Sequence, residues 1–333
     1  MYILALETSC DETAAAVFTD DLRILSNVVA SQNELHAAFG GVVPEIASRA
    51  HLRNLLPVID EALLKAQVTL ADIGAIAVHN TPGLVGALLI GVSAAKMLSL
   101  ALGVPLLAVN HIHSHLYACR IAAAKEIYPC VGLVVSGGHT ALFRCESPLK
   151  ITVLGGTRDD AAGEAFDKVA AILGLGFPGG PAVERMAKTG NATAFKFPRS
   201  FYDEPRLEFS FSGLKTAVLY AYRGQNAKGL VTNPSIPDLA ASFQDAVVDA
   251  LTRKCQQALR QTGLKTLAVG GGVSANKTLR DRLAKMCAKD GIELVIPPLD
   301  LCTDNAAMAA LAVEKWKVGE FAGADLDAEP NSM

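Results

Sequence analysis

The densest chemistry in the chain is a run of three histidines in five residues, Asn110-His111-Ile112-His113-Ser114-His115. On a helix, His111 and His115 share a face one turn apart, and His113 points elsewhere. Two neutral imidazoles so placed form a two-point grip on a divalent metal. The plainer alternative is a polar loop that only packs. A zinc-dependent peptidase would need a glutamate beside the first histidine as general base. Ile112 stands there, which argues against peptide hydrolysis.

Several acidic and glycine-rich runs surround that motif. Glu7-Thr8-Ser9-Cys10-Asp11-Glu12-Thr13 carries three carboxylates and three hydroxyls, with Glu7 at the end of an apolar run. It reads as a solvated loop or as a buried, functional carboxylate cluster. Ser136-Gly137-Gly138-His139-Thr140 ends a second apolar run. Its glycines either let backbone N–H groups approach an anion or serve a tight turn that needs positive φ. In Asp159-Asp160-Ala161-Ala162-Gly163-Glu164-Ala165-Phe166-Asp167, Asp159 is placed to cap a helix. Asp160, Glu164 and Asp167 fall on one face, where like charges must meet a cation, hydroxyls or solvent. Gly176 to Pro181, with Glu184 just beyond, and Gly270 to Asn276 are further glycine turns at element ends. The second follows a strand and opens a helix, a ready anion site. In Cys302-Thr303-Asp304-Asn305, Asp304 either completes a metal site or caps the next helix.

The elements that must position these residues follow from hydrophobic periodicity. Tyr2–Leu6, Ala14–Phe18 and Ile24–Val29 read as strands. Pro44–Ala66 reads as a helix, then come a strand at Ile73–Val78, a helix at Leu84–Leu102 and a strand at Pro105–Val109. The order recurs: strands at Val131–Val135, Ala141–Cys145 and Ile151–Leu154, a helix at Pro237–Thr262, a strand at Thr266–Val269, a helix at Asn276–Lys289, a strand at Ile292–Ile296 and a helix at Asn305–Val318. Two such units predict an α/β protein of the actin/Hsp70/sugar-kinase-like class, with duplicated RNase H-like domains facing a nucleotide cleft. The expected domains are residues 1–110 and 111–304. A helical insertion is expected at about 159–235, with a C-terminal helix at about 305–333 packing back on the first domain.

Bulk properties set limits. A chain of 333 residues with 51% hydrophobic and 19% charged residues can bury two cores. A net charge of -3 gives no support to a nucleic-acid binder that works alone. Seven cysteines without a CxxC pair predict thiols in a reducing compartment rather than a disulfide framework. The N-terminus lacks a signal-peptide pattern, and the apolar run Leu84–Ala95, cut by Lys96, is too short for a bilayer. A cytoplasmic protein without a membrane segment is expected.

Taken together, these runs, with Gly40-Gly41-Val42-Val43-Pro44-Glu45 and Phe209-Ser210-Phe211-Ser212-Gly213-Leu214-Lys215-Thr216, resemble the TsaD family, the tRNA threonylcarbamoyladenosine transferases once misnamed glycoproteases. The resemblance covers nearly the whole chain. It implies transfer of the threonylcarbamoyl group of threonylcarbamoyl-AMP to N6 of the adenosine 3′ of the anticodon in tRNAs reading ANN codons. It implies a metal, Fe2+ or alternatively Zn2+, on His111, His115 and Asp304. It implies that ATP or the adenylate lies on Val135, Ser136, Gly137, Gly138, His139, Asp167, Gly180, Glu184 and Asn276. Asp11 and Glu12 are the candidates for orienting the acyl group or taking the amine proton. The implied partners are tRNA, a TsaB-like paralogue, a TsaE-like ATPase and a TsaC/Sua-type synthase that supplies the donor. The sequence departs from the family where His113-Ser114 replaces Glu-Gly, where Asn80-Thr81-Pro82-Gly83 stands for Gly-Pro-Gly, and in ending at Met333 without an Arg-Pro-rich tail. The alternatives are a sugar or acyl kinase of the same fold and a non-catalytic, ATP-dependent scaffold. Lys196, Arg199, Arg206, Lys215 and Arg223 read either as part of a tRNA face or as solvated surface.

Overall fold

The computed structural model describes residues 1–224 and 234–331. Positions 225–233 of the expected insertion, and 332–333 of the C-terminal segment, lie outside the described residues. The chain begins with β1 (Tyr2–Glu7), β2 (Glu12–Thr19), β3 (Ile24–Ser31), α1 (Asn33–Ala37), α2 (Pro44–Ala66), β4 (Ile73–Thr81), α3 (Val85–Leu102), β5 (Leu106–Asn110) and α4 (His111–Ala123). It continues through β6 (Cys130–Val135), β7 (Thr140–Ser147), β8 (Lys150–Gly156), α5 (Ala162–Leu173), α6 (Gly179–Ala187), α7 (Ser212–Tyr222), α8 (Ile236–Thr262), β9 (Thr266–Gly270), α9 (Lys277–Asp290) and β10 (Glu293–Val295). A 3₁₀ segment, Ala306–Leu311, leads into α10 (Ala312–Val318).

Two compact units result. The first comprises residues 1–126, 147–150 and 297–333, and the second residues 127–146 and 151–296. Each holds one five-stranded sheet, ordered β3-β2-β1-β4-β5 in the first and β8-β7-β6-β9-β10 in the second. The order is the same with β1 replaced by β6, so the sheets repeat one plan. These limits differ from the sequence-based boundaries at 110 and 304. Helix α4 belongs to the first unit, because Tyr117 packs into the same core as Ala306–Val313.

In the first unit, β1 alternates. Ile3 and Ala5 enter one core, shared with Ala75, Ala77 and the segment Ala306–Val313. Leu4 and Leu6 enter the opposite core, under α2 and α3. A strand covered on both faces reads as an unbroken apolar run, as β1 and β2 do. The same parity carries Glu7 onto the Ile3 face and His79 onto the Ala75 face. The parallel register Leu6↔Val78 sets those two residues level at the strands' C-terminal ends. Helix α3 ends at Leu102, as expected, and Lys96 within it donates its ammonium to the Leu326 carbonyl at 2.9 Å. At 18 residues it is long and apolar enough to cross a membrane by length and composition.

In the second unit, β6 pairs antiparallel with β7 and parallel with β9. The long helix α8 supplies a nearly continuous buried face, including Phe243, Val247 and Leu251, to a core that α5 and α7 complete.

Candidate metal centre and glycine turn

Helix α4 starts where β5 ends. Its N-cap, Asn110, accepts a hydrogen bond from the His113 backbone N–H at 3.0 Å, which fixes the first turn. His111 and His115 are therefore one turn apart, with rings edge to face at 4.7 Å. Asp304 reaches the same place from the segment before Ala306. Its Oδ1 lies 3.6 Å from His111 Nε2 and 3.1 Å from His115 Nε2. Capping of that segment falls to Asn305, whose Oδ1 accepts from the Met308 N–H at 3.3 Å, so Asp304 is spared for the histidines.

The electrostatics favour a cation. His111 and His115 are almost wholly buried; His115 Nε2 faces the Asp304 carboxylate, and its Nδ1 has no hydrogen-bond partner among the described residues. Burial opposes charge on both rings. At His111, the carboxylates of Asp304 and Glu7 overcome it and push the pKa up to about 9. At His115, burial wins and the pKa is lowered. Burial would raise the Asp304 and Glu7 carboxyls, but neighbouring imidazoles hold both below the usual carboxylate range. Two ionised carboxylates thus sit in a buried place that a positive charge must balance. Two imidazole nitrogens facing one carboxylate oxygen, all within 4.8 Å of one another, suit Zn2+ or Fe2+. His113 is outside this set. Burial and Lys315 depress its pKa to about 4.

Asp11 and Glu12 lie at the β1–β2 turn, half-buried. The Asp11 carbonyl accepts from the Gln32 N–H at 3.1 Å. Burial pushes the Glu12 carboxyl well above its usual range, and the like charges of Asp11 and Asp304 push it further.

The nucleotide candidates all fall in the second unit. Val135 ends β6, and the turn follows. The Ser136 N–H donates to the His139 carbonyl at 2.8 Å, and the His139 N–H donates to Ser136 Oγ at 3.2 Å. Gly137 and Gly138 are exposed, without positive φ, and a Cβ on either would meet no protein atom within 4 Å. The tight-turn explanation of these glycines therefore fails, and open space over bare backbone is what an anion needs. Gly163 is different. Its N–H donates to the Ser136 carbonyl at 3.1 Å, and a Cβ there would lie 2.6 Å from that oxygen. At the neighbouring strand end, Gly271, with φ +91°, abuts the Val135 backbone. Asp167 Oδ1 accepts from the Gly179 N–H at 2.7 Å, and Glu184 Oε1 accepts from the Lys277 N–H at 2.8 Å. Asn276 caps α9 through Leu279 and donates to Gln244 Oε1 at 2.9 Å. Gly180 is the second residue of α6 and has open space above it. The set gathers around the C-terminal ends of the parallel strands β6 and β9, where open α/β sheets bind ligands.

Some expectations change. Asp159 caps α7 rather than α5, accepting from the Phe211 and Ser212 N–H groups at 2.8 and 3.2 Å. The acidic face meets cations. Lys168 lies 2.8 Å from both Asp160 and Glu164, and Lys215 lies 3.1 Å from Asp160. Arg199 is held by Asp245 and Asp249, and Arg206 by Glu204 and Glu208. Lys196, Arg206 and Arg223 are the exposed members of the basic set. Sequence reading missed His79 and Ser9. A single histidine in an apolar strand reads as core, but the period-2 pattern of β4 places it beside Glu7. Ser9 Oγ lies 3.0 Å from His111 Nδ1.

A family model described as TsaD, tRNA N6-adenosine threonylcarbamoyltransferase, matches residues 23–311. A protein of that name from Rhodopirellula baltica is 51% identical, covering 98% of this chain and 96% of its own length. One from Syntrophotalea carbinolica is 47% identical, covering 100% and 96%. Among solved structures, component A of the Acidaminococcus fermentans (R)-2-hydroxyglutaryl-CoA dehydratase superposes with a TM-score of 0.56 at 14% identity, over 95% of this chain and 98% of that one. Full-length HypF superposes with a TM-score of 0.63 at 14% identity, over 96% and 56%. The fold is the duplicated, actin-like α/β architecture expected from the sequence. The sugar- or acyl-kinase alternative is not favoured.

Proposed function

This chain belongs to the tRNA N6-adenosine threonylcarbamoyltransferase family, and on that premise we propose how its residues divide the reaction. The chain is a transferase that places a threonylcarbamoyl group on N6 of a tRNA adenosine. The donor in our reading is threonylcarbamoyl-AMP, and the acceptor is the adenosine immediately 3′ of the anticodon in tRNAs reading ANN codons. The N6–carbonyl bond forms, the mixed-anhydride C–O bond breaks, AMP leaves and N6 loses a proton.

The observation that carries the assignment is the convergence of His111 Nε2, His115 Nε2 and Asp304 Oδ1. A divalent ion held by these three supplies Lewis acidity and balances charge; we take Fe2+ as the resident metal and Zn2+ as the alternative. Glu12, its carboxyl raised by burial and by Asp11, takes the proton from N6 as that weak nucleophile attacks. Asp11 orients the acyl group. In the Ser136 to His139 turn, whose end N–H groups bond within the turn, Gly137 and Gly138 hold phosphate through N–H groups in open space, which stabilises charge on the departing AMP. Val135 and Gly180 border that space, and Asp167, Glu184 and Asn276 complete nucleotide recognition at the adjoining helix ends.

We place the enzyme in the cytoplasm, with a TsaB-like paralogue, a TsaE-like ATPase and a TsaC/Sua-type synthase as partners. A protein partner is supported by the outer faces of α2 and α3. Leu52, Leu56 and Leu64 on the first and Leu89, Met97 and Leu100 on the second are exposed. Rows of that kind mark interaction surfaces.

The test is to incubate the protein with threonylcarbamoyl-AMP, unmodified tRNA and its partners, then digest the tRNA and analyse its nucleosides. Threonylcarbamoyladenosine that forms only with the complete mixture supports the reading. No product from a folded, metal-loaded preparation in the complete mixture refutes it.

A further inference from the structure

His79 is fully buried on β4, outside the three metal ligands, yet it is tied to them twice. Its Nδ1 lies 2.6 Å from Glu7 Oε2, and its Nε2 lies 2.9 Å from Ser114 Oγ. The same Glu7 oxygen is 3.1 Å from His111 Nδ1. Ser114 sits in the first turn of α4, between the two ligand histidines, and is also fully buried. The contacts therefore close a ring: His111 to Glu7, Glu7 to His79, His79 to Ser114, and along one helical turn back to His111.

We propose that His79 and Ser114 are positioning residues of the metal centre, which hold Glu7 and the first turn of α4 so that His111 keeps its Nε2 aimed at the ion. The inference rests on the reading of His111, His115 and Asp304 as the ligands.

The argument is geometric. A neutral imidazole that gives Nε2 to a metal carries its proton on Nδ1 and needs an acceptor there. Glu7 Oε2 and Ser9 Oγ, at 3.1 and 3.0 Å, provide one. Glu7 can serve only while its rotamer is fixed. The Ser9 N–H donates to its other oxygen, and His79 braces Oε2. Ser114 then fixes the His79 ring from the helix that carries both ligands. A second metal on Glu7, His79 and His111 does not fit the spacing. Two ligands at about 2.1 Å from one tetrahedral ion lie about 3.4 Å apart, whereas Glu7 Oε2 and His79 Nδ1 are 2.6 Å apart. His79 and Ser114 are matched to each other. Without the serine hydroxyl, His79 Nε2 would be a buried nitrogen lacking its partner, a costly state.

The experiment measures Zn2+ dissociation constants by chelator competition, and the visible spectrum of the Co2+ form, for the full chain and four variants. His111→Ala should lose tight binding. His79→Ala should weaken binding by up to about 100-fold and Ser114→Ala by about tenfold, the usual range for outer partners of a metal histidine. Both should shift the Co2+ bands, and Ser114→Thr, which keeps the hydroxyl, should restore wild-type values. Wild-type affinity and spectrum in Ser114→Ala, with binding lost in His111→Ala, would overturn the proposal while leaving the metal centre intact. Wild-type affinity in His111→Ala would overturn the metal reading and the proposal with it. Ser114→Ala decides the matter even where His79→Ala does not fold.

Discussion

The turn after β1 and the turn after β6 occupy the same position in two sheets of one strand order, yet they are built from opposite materials. The first is crowded and anchored. Ser9 accepts from the Leu84 N–H at 2.8 Å, and the Cys10 carbonyl lies 3.0 Å from His51 Nε2. Around it stand Glu7, Asp11 and Glu12, with the imidazoles of His79 and His111. The second is bare, and Gly137 and Gly138 have no protein atom within 4 Å of where a side chain would begin. A repeated scaffold has thus been loaded in two ways. One turn presents titratable side chains in a buried setting, where charge is expensive and must be balanced. The other presents backbone N–H groups, which carry fixed partial charge and do not titrate.

That contrast can be broken by substitution. The largest effect is expected in the first turn's neighbourhood. His115→Ala should remove the metal and lower tRNA modification by at least about 100-fold, as read by metal content and nucleoside analysis. Glu12→Gln should lower transfer by about 100-fold, a typical contribution of a general base, with nucleotide binding retained. The pH profile gives the sign. The Glu12 carboxyl is raised, so its basic form appears only as pH climbs through that raised value, and the rate should rise with pH on a limb above the ordinary glutamate range. Asp11→Asn removes a like charge and should move that limb to lower pH. An unmoved limb would remove Glu12 from its role.

In the second turn, smaller effects should divide by glycine. Gly137→Val should leave thermal stability unchanged and weaken ATP binding by about tenfold or more, the worth of one charge-assisted hydrogen bond, about 1.5–3 kcal/mol. Gly163→Ala should do the reverse first, lowering stability by about 1–3 kcal/mol through overpacking, since its Cβ would sit 2.6 Å from the Ser136 carbonyl. The smallest effect belongs to Asp160. Burial would raise its carboxyl, but Lys168 and Lys215 hold it below the usual aspartate range. A depressed folded pKa gives stability that is present above the unfolded value near 4 and is lost as pH falls through the folded value. Asp160→Asn should therefore cost about 1 kcal/mol or less near neutral pH and flatten the acid limb of a denaturation curve.

Much of this was readable in the residues, and the failures have physical causes. Local periodicity located β1, α2, β6 and α9 within a few residues, because each depends on neighbours along the chain. The pair His111 and His115 was readable for the same reason, since one helical turn relates them. That Asp304 faces those two histidines needed the resemblance, because nothing local distinguishes such a carboxylate from a helix cap. The role of Asp159 was misread, since the helix it caps, α7, begins 53 residues later. His79 was invisible until the β1–β4 register set it beside Glu7. The glycines of 136–139 were readable as a turn but not as open space, which is a property of what the rest of the fold leaves uncovered.

The division of labour between the two turns is tested most directly by measuring metal content and ATP affinity together on two variants, His115→Ala and Gly137→Val. The expected result is a double separation: His115→Ala without metal but with ATP affinity within about threefold of wild type, and Gly137→Val with full metal and weakened ATP binding. Loss of metal from Gly137→Val, or full metal in His115→Ala, would contradict it.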